Sequence, residues 1–180
     1  MNYIIYDLEA TCWDGNPLEL DQETIEIGAI LLNQFGEELG SFNRFVKPVI
    51  HPYLSPYCTY LTSITQQQVN IAKTFPHVIE EFKDWAGIYD EEYLLCSWGN
   101  FDKILFEREC AHYDLEDDWV EHHIDLRKQY QKMRRLKKTI GLKAALTKEG
   151  FEFDGIPHRG ISDAENLVKI FRKHIDVWQP

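Results

Sequence analysis

The chain has 180 residues, 44% hydrophobic and 13% aromatic, which suffices for a domain with a real core and excludes global disorder. A net charge of −11 argues against a generally basic, nucleic-acid-coating surface. No basic N-terminal stretch leads into a signal-length apolar run, and nothing approaches the ~18 apolar residues of a membrane span. A soluble cytoplasmic protein with no membrane partner is expected. Cys12, Cys58, Cys96 and Cys110 form no CxxC spacing, so they are expected to be reduced thiols rather than a zinc site or a disulfide framework.

The hydrophobic pattern switches between strand and helix periods, which predicts an α/β fold. Tyr3 to Leu8 reads as a first strand, Glu26 to Asn33 as a second and Gly40 to Val46 as a third. Short turns between them predict an antiparallel meander. Lys47 to Thr65 ("KPVIHPYLSPYCTYLTSIT") reads as an ordered, functional loop, with a short helix starting near Thr65 and ending before Thr74. Thr74 then opens a helix whose Phe75, Val78, Ile79, Phe82, Trp85 and Ala86 fall at helical spacing. Tyr93 to Trp98 is a short apolar strand, "NFDKILFERECAHY" the helix behind it, and "HHIDL" a last strand. Helices are expected around Lys128–Arg135, Leu142–Glu149 and Asp163–Ile175, the last with Ser162 and Glu165 as an S-x-x-E capping box.

The first strand, "YIIYDLEATCW", runs from an apolar stretch into two carboxylates. Residues i and i+2 of a strand share a face, so Asp7 and Glu9 can aim at one point where the strand leaves the sheet. Buried charge needs a partner. Asp102 follows the apolar strand and the turn at Gly99, at the start of a helix. In "PHRGISDAEN", His158 lies in a loop and Asp163 in the first helical turn. Each alone is commonplace. Together, four carboxylates offer hard oxygen ligands suited to Mg²⁺ or Mn²⁺, and can hold two such ions roughly 3.5–4 Å apart, the arrangement for in-line phosphodiester hydrolysis. A histidine nearby can take the proton from the attacking water.

Asp7-x-Glu9, Asp102, His158 and Asp163 resemble the signature of the DEDDh 3′–5′ exonucleases, which have a ribonuclease H-like fold. The segments "YDLEATCW", "ETIEIGAI", "LSPYCTYLTSIT", "SWGNFD" and "HRGISDAEN" are similar to the branch containing the histone-mRNA 3′ exonuclease and bacterial single-domain relatives. The resemblance implies one domain over residues 1–180, a three-layer fold with a mixed five-stranded sheet flanked by helices, and hydrolysis from single-stranded 3′ ends, RNA over DNA, releasing nucleoside 5′-monophosphates. It implies Asp7, Glu9, Asp102 and Asp163 as ligands of two divalent ions, Mg²⁺ or Mn²⁺, and His158 as general base. Glu9 and Ala10 would meet the 3′-terminal nucleotide, and His158 would lie near its phosphate. Thr62 in "LTSI" would flank the terminal sugar and base, and Trp98 would shape the site behind Asp102. Ser63 stands where the family often has Gly. The best-known animal relatives carry an added nucleic-acid-binding segment; with the first strand starting at Tyr3, none is expected here.

Other features stay open. "DLEAT" approaches the D-x-D-G-T of haloacid-dehalogenase-type phosphatases, but Glu9 and Ala10 depart from it. A non-catalytic binding module on the same fold is the alternative reading. Tyr57 and Tyr60 could stack on a base or anchor their loop. His122 and His123 read as alternating strand-face residues. Arg127 to Lys148 carries nine Lys or Arg and no Asp or Glu, leaving 10 basic against 30 acidic residues elsewhere. That strip is either a solvated helix face or a phosphate-contacting surface.

Overall fold

The structure, a computed structural model, describes residues 1–15 and 21–179. Five strands form one mixed sheet in the order β3-β2-β1-β4-β5. β1 (Asn2–Ala10), β2 (Thr24–Leu32) and β3 (Glu38–Phe45) are the expected antiparallel meander. β4 (Tyr93–Ser97) and β5 (His123–Asp125) add on the other side of β1, both parallel. Helices α1 (Pro56–Thr62), α2 (Gln66–Ile71), α3 (Phe75–Ala86), α4 (Phe101–His112), α5 (Leu126–Met133), α6 (Leu142–Glu149) and α7 (Gly160–Lys173), with a short 3-10 helix at Asp118–Val120, complete the element order.

The period of two along β1 sorts its side chains into two cores. Ile4, Tyr6 and Leu8 pack with Val78, Ile79 and Phe82 of α3 and Leu105 and Phe106 of α4. Tyr6 stacks on Phe106 at 5.4 Å between ring centroids. Ile5 faces the other way, with Leu126 and Tyr130 of α5, Ala145 and Leu146 of α6, and Leu167 and Phe171 of α7. Burying each such aliphatic or aromatic side chain contributes about 1.5–3 kcal/mol, so the two layers of helices are held by the sheet between them. The same alternation sends Asp7 and Glu9 to the face that α7 covers.

Two expectations need correction. Lys47 to Thr65 is not wholly loop, because α1 lies within it. Ser55 caps that helix by accepting from Cys58 N (2.9 Å), with Pro56 opening the first turn. Nor is Ser162 the cap of α7. The helix starts earlier, at Gly160, after Arg159, whose side chain makes no capping bond. The cap comes instead from another element: Glu26 on β2 accepts from Gly160 N at 3.0 Å. By contrast, Thr65 and Gln68 form a full capping box on α2. All four cysteines are free thiols. No helix among the described residues is long and apolar enough to cross a membrane.

Candidate functional site

Helix α7 reaches the carboxylates of β1 because two glycines let backbones touch. A Cβ on Gly28 of β2 would collide with the backbone of Gly160 and Ile161. One on Gly160 would sit 2.8 Å from the Asp7 carbonyl oxygen and 3.0 Å from Gly28 N. This close crossing sets the first turn of α7, and with it Asp163, over Asp7 and Glu9. Arg159 locks the approach. Its guanidinium forks onto the fully buried Glu26 carboxylate (Nη2 to Oε1 2.8 Å, Nε to Oε2 3.0 Å) and lies over the Phe45 ring.

One carboxylate oxygen each from Asp7, Glu9 and Asp163 lies within 4.8 Å of the others. Such crowding disfavours charge. Burial, then Asp102, Glu9 and Asp163, raises the Asp7 carboxyl well above its ordinary range. Burial, then Asp163 and Glu26, pushes Glu9 up to about 9. Asp163 is raised by burial, against the pull of the His158 ring and the backbone amides of His158 and Arg159. Its Oδ2 is buried with no hydrogen-bond partner. Three converging carboxylates, one carrying an orphaned oxygen and all resisting ionisation, fit a hard divalent cation.

Asp102 stands slightly apart from this trio. The β1–β4 pairing ends at Ile5–Cys96, and beyond it Leu8 N donates to Asp102 Oδ1 (3.0 Å). Burial pushes Asp102 up to about 6, opposed by that amide and by Ser97. His158 is exposed, in the left-handed region at φ 59° just before α7. A non-glycine residue held there is uncommon and tends to mark a functional constraint.

Ala10 is buried at a register shift after Glu9, and its carbonyl accepts from Cys58 Sγ of α1 (3.6 Å). Thr62 is fully buried. Its hydroxyl donates to Cys58 O (2.8 Å) and accepts from Ile64 N (3.1 Å), so it finishes α1 and presents no free surface to a nucleotide. Ser63 is the left-handed C-cap of α1 at φ 60°, a conformation glycine adopts without strain. Trp98 packs on Tyr130 and donates from Nε1 to Ile140 O (3.0 Å). Tyr57 and Tyr60 do not anchor in the core; Tyr60 is 87% exposed. His123 meets Ser97 Oγ at 2.9 Å, and burial lowers its pKa to about 4. The Glu26–Arg159 pair is the positioning element that the motif reading omitted. Only Glu26, the second E of "ETIEIGAI", on an otherwise apolar strand, hints at it.

The exonuclease family model named RNase_T matches residues 4–171. Human "3'-5' exoribonuclease 1" is 35% identical over 174 residues, covering 92% of this chain and 50% of that protein. "ERI1 exoribonuclease 2" of Xenopus laevis is 33% identical over 195 residues, covering 96% of this chain and 28% of that protein. The chain thus spans half the length, or less, of these relatives. Among solved structures, the nuclease domain of 3'hExo, described as a DEDDh family member bound to rAMP, aligns with a TM-score of 0.91 at 33% identity, over 97% of this chain and 92% of that one. With the family model over residues 4–171 and a solved DEDDh nuclease domain aligned over nearly the whole of both chains, the chain belongs to the RNase T exonuclease family, in its DEDDh group.

Proposed function

We propose that residues 1–180 form a single exonuclease domain that removes nucleoside 5′-monophosphates from the 3′ end of single-stranded nucleic acid, RNA in preference to DNA. The observation that carries this is the convergence of Asp7, Glu9 and Asp163, with His158 held in a strained exposed conformation at the entry of the same helix. The names of the relatives, and the nucleotide bound to the similar nuclease domain, favour RNA.

Asp7, Glu9 and Asp163, with Asp102 beside them, would hold two divalent ions, Mg²⁺ or Mn²⁺. Bound there, such ions lower the pKa of water and stabilise charge on a phosphate. The chain's own residues do the rest. Glu9 and Ala10 line the end of β1, where a terminal nucleotide would rest against backbone. The exposed His158 imidazole, beside Asp163, can take the proton of the attacking water. Trp98 holds the segment behind Asp102 by its bond to Ile140. Tyr57 and Tyr60 offer exposed ring faces on α1 for a base.

The test is a 5′-labelled single strand, as RNA and as matched DNA, with Mg²⁺, with Mn²⁺ and with EDTA. A ladder shortening from the 3′ end is expected, abolished by EDTA and faster on RNA. Folded, metal-supplied protein that leaves both strands intact would replace the exonuclease with a non-catalytic binding module.

A further inference from the structure

The basic segment 127–148 folds into α5, a connecting loop and α6. Some of its cations are already committed. Arg134 pairs with buried Glu149, Lys128 with Asp125, and Arg127 donates from Nε to Ile140 O (2.9 Å). Lys132, Arg135, Lys137, Lys138, Lys143 and Lys148 are exposed and make no ion pair among the described residues. On a body that is otherwise strongly acidic, six cations without counter-charge are a focused positive surface.

Two contacts join this surface to the candidate site. The Ile140 carbonyl accepts from both Trp98 Nε1 and Arg127 Nε, so the loop carrying Lys137 and Lys138 is pinned to the end of β4, four residues before Asp102. Farther on, Lys143 lines a groove of about 560 Å³ with Phe151, Phe153, Gly155 and Pro157, the residue before His158. Glu152 is the single acid among the groove's lining residues. The groove thus runs from the basic helix to the histidine loop, with the half-buried Phe153 in its lining.

We propose that the segment from α5 to α6 is a phosphate track for the single strand upstream of the cleaved nucleotide, with an upstream nucleotide seated in the Lys143–Pro157 groove. This rests on the nucleic-acid reading of the site, and it names the surface that makes the protein sense strand length. The partner is a single-stranded polynucleotide backbone. An acidic protein surface is the competing occupant, and binding to RNA distinguishes the two.

The experiment measures binding of a fluorescein-labelled 12-nucleotide RNA by anisotropy in EDTA, across a salt series, beside turnover of a dinucleotide and the 12-mer with divalent cation. The variant Lys137→Glu/Lys138→Glu/Lys143→Glu is compared with Lys47→Glu, an exposed cation outside the strip with no ion pair among the described residues. The triple variant is expected to weaken 12-mer binding by about 30-fold or more and to flatten the log–log salt slope by about two, given ~0.7 per phosphate contact. Dinucleotide turnover and the Lys47→Glu protein should change by less than about twofold, since charges beyond a Debye length are screened. Unchanged 12-mer binding by the triple variant, or an equal loss per charge in Lys47→Glu, would overturn the track. Lost binding in the triple variant of a protein that degrades no RNA at all would sustain the track and strike the exonuclease reading instead.

Discussion

Arg159 and Glu26 lie 133 positions apart and form a forked ion pair that ties the histidine loop to the second strand. The Glu26 carboxylate also receives Gly160 N, so one buried acid both caps α7 and holds its entry. Arg159→Ala leaves that carboxylate without its cation. Breaking a buried pair from one side costs about 3–5 kcal/mol. Denaturant unfolding should show a loss of that order, and turnover should fall even well below the melting temperature, because His158 and Asp163 lose their shared support. A loss below about 1 kcal/mol would mean the pair is not a structural lock.

The Gly28–Gly160 crossing admits no side chain. Gly28→Ala drives a methyl group into the backbone of Gly160 and Ile161. Neither backbone segment can yield without moving α7 off β2, so the cost should reach or exceed the ~3 kcal/mol typical of severe overpacking. Thermal unfolding measures it. Gly141→Ala, where a Cβ meets nothing within 4 Å, is the control and should lose no more than the ~1 kcal/mol of a weaker N-cap on α6.

The crowded carboxylates make the cation-free protein pH-sensitive. Glu9 is raised to about 9 and Asp102 to about 6, and Asp7 and Asp163 are raised too. A carboxyl raised in the folded state binds its proton more tightly there than when unfolded. Its stabilising share is therefore full below the ordinary carboxylate range and is lost as pH climbs through the folded value. In EDTA the melting temperature should fall between about pH 5 and 9, and Asp7→Asn should remove much of that fall while abolishing turnover. His123 acts in the opposite sense between about 4 and its ordinary value, so the difference between wild type and Asp7→Asn is the quantity to read. Excess Mg²⁺ or Mn²⁺ should stabilise wild type and not the variant. A wild-type excess that grows with pH in EDTA would contradict the cluster.

Much of this was legible in the sequence because local patterns carried it. Alternation in "YIIYDLEA" puts Asp7 and Glu9 on one face, and the helical spacing from Phe75 to Ala86 gives α3 its buried side. The acids Asp102 and Asp163 sit at helix starts, as their neighbours imply. What escaped at α7 was set by a distant partner, and at α1 by bonds among near neighbours. Ser162 has the local form of a cap, but α7 begins earlier because Gly160 is held by a carboxylate from β2. Thr62 sits in a familiar segment, yet its hydroxyl is consumed by Cys58 and Ile64. The helix at Pro56 was signalled by Ser55-Pro56 and masked by the Pro- and Tyr-rich composition around it.

Glu149 is the structural counterpart of the crowded site. Tyr130 and Arg134 donate to it, and Lys173 and His174 approach it at 3.1 Å. Although burial opposes ionisation, these partners hold its carboxyl down at about 2. The depressed value means its contribution is complete above about 4.5 and is lost as pH falls toward 2. At pH 7 it amounts to about 3 kcal/mol, since each tenfold change in proton affinity is worth ~1.4 kcal/mol. Glu149→Gln should lose stability of that order at pH 7 and roughly half as much or less at pH 3, by urea unfolding. A constant loss at both values would assign the effect to packing.

In the proposed function, Asp7, Glu9, Asp163 and His158 act together on a 3′-terminal phosphodiester. The direct measurement is single-turnover cleavage of 5′-labelled single-stranded RNA by wild type, Asp7→Asn and His158→Ala, each verified as folded and supplied with divalent cation. Wild type should shorten the strand stepwise from its 3′ end, and Asp7→Asn should give no detectable cleavage. His158→Ala should be about 10²–10⁴-fold slower, the range for a lost general base. Cleavage by either variant at the wild-type rate, or cuts within the strand rather than from its 3′ end, would contradict the claim.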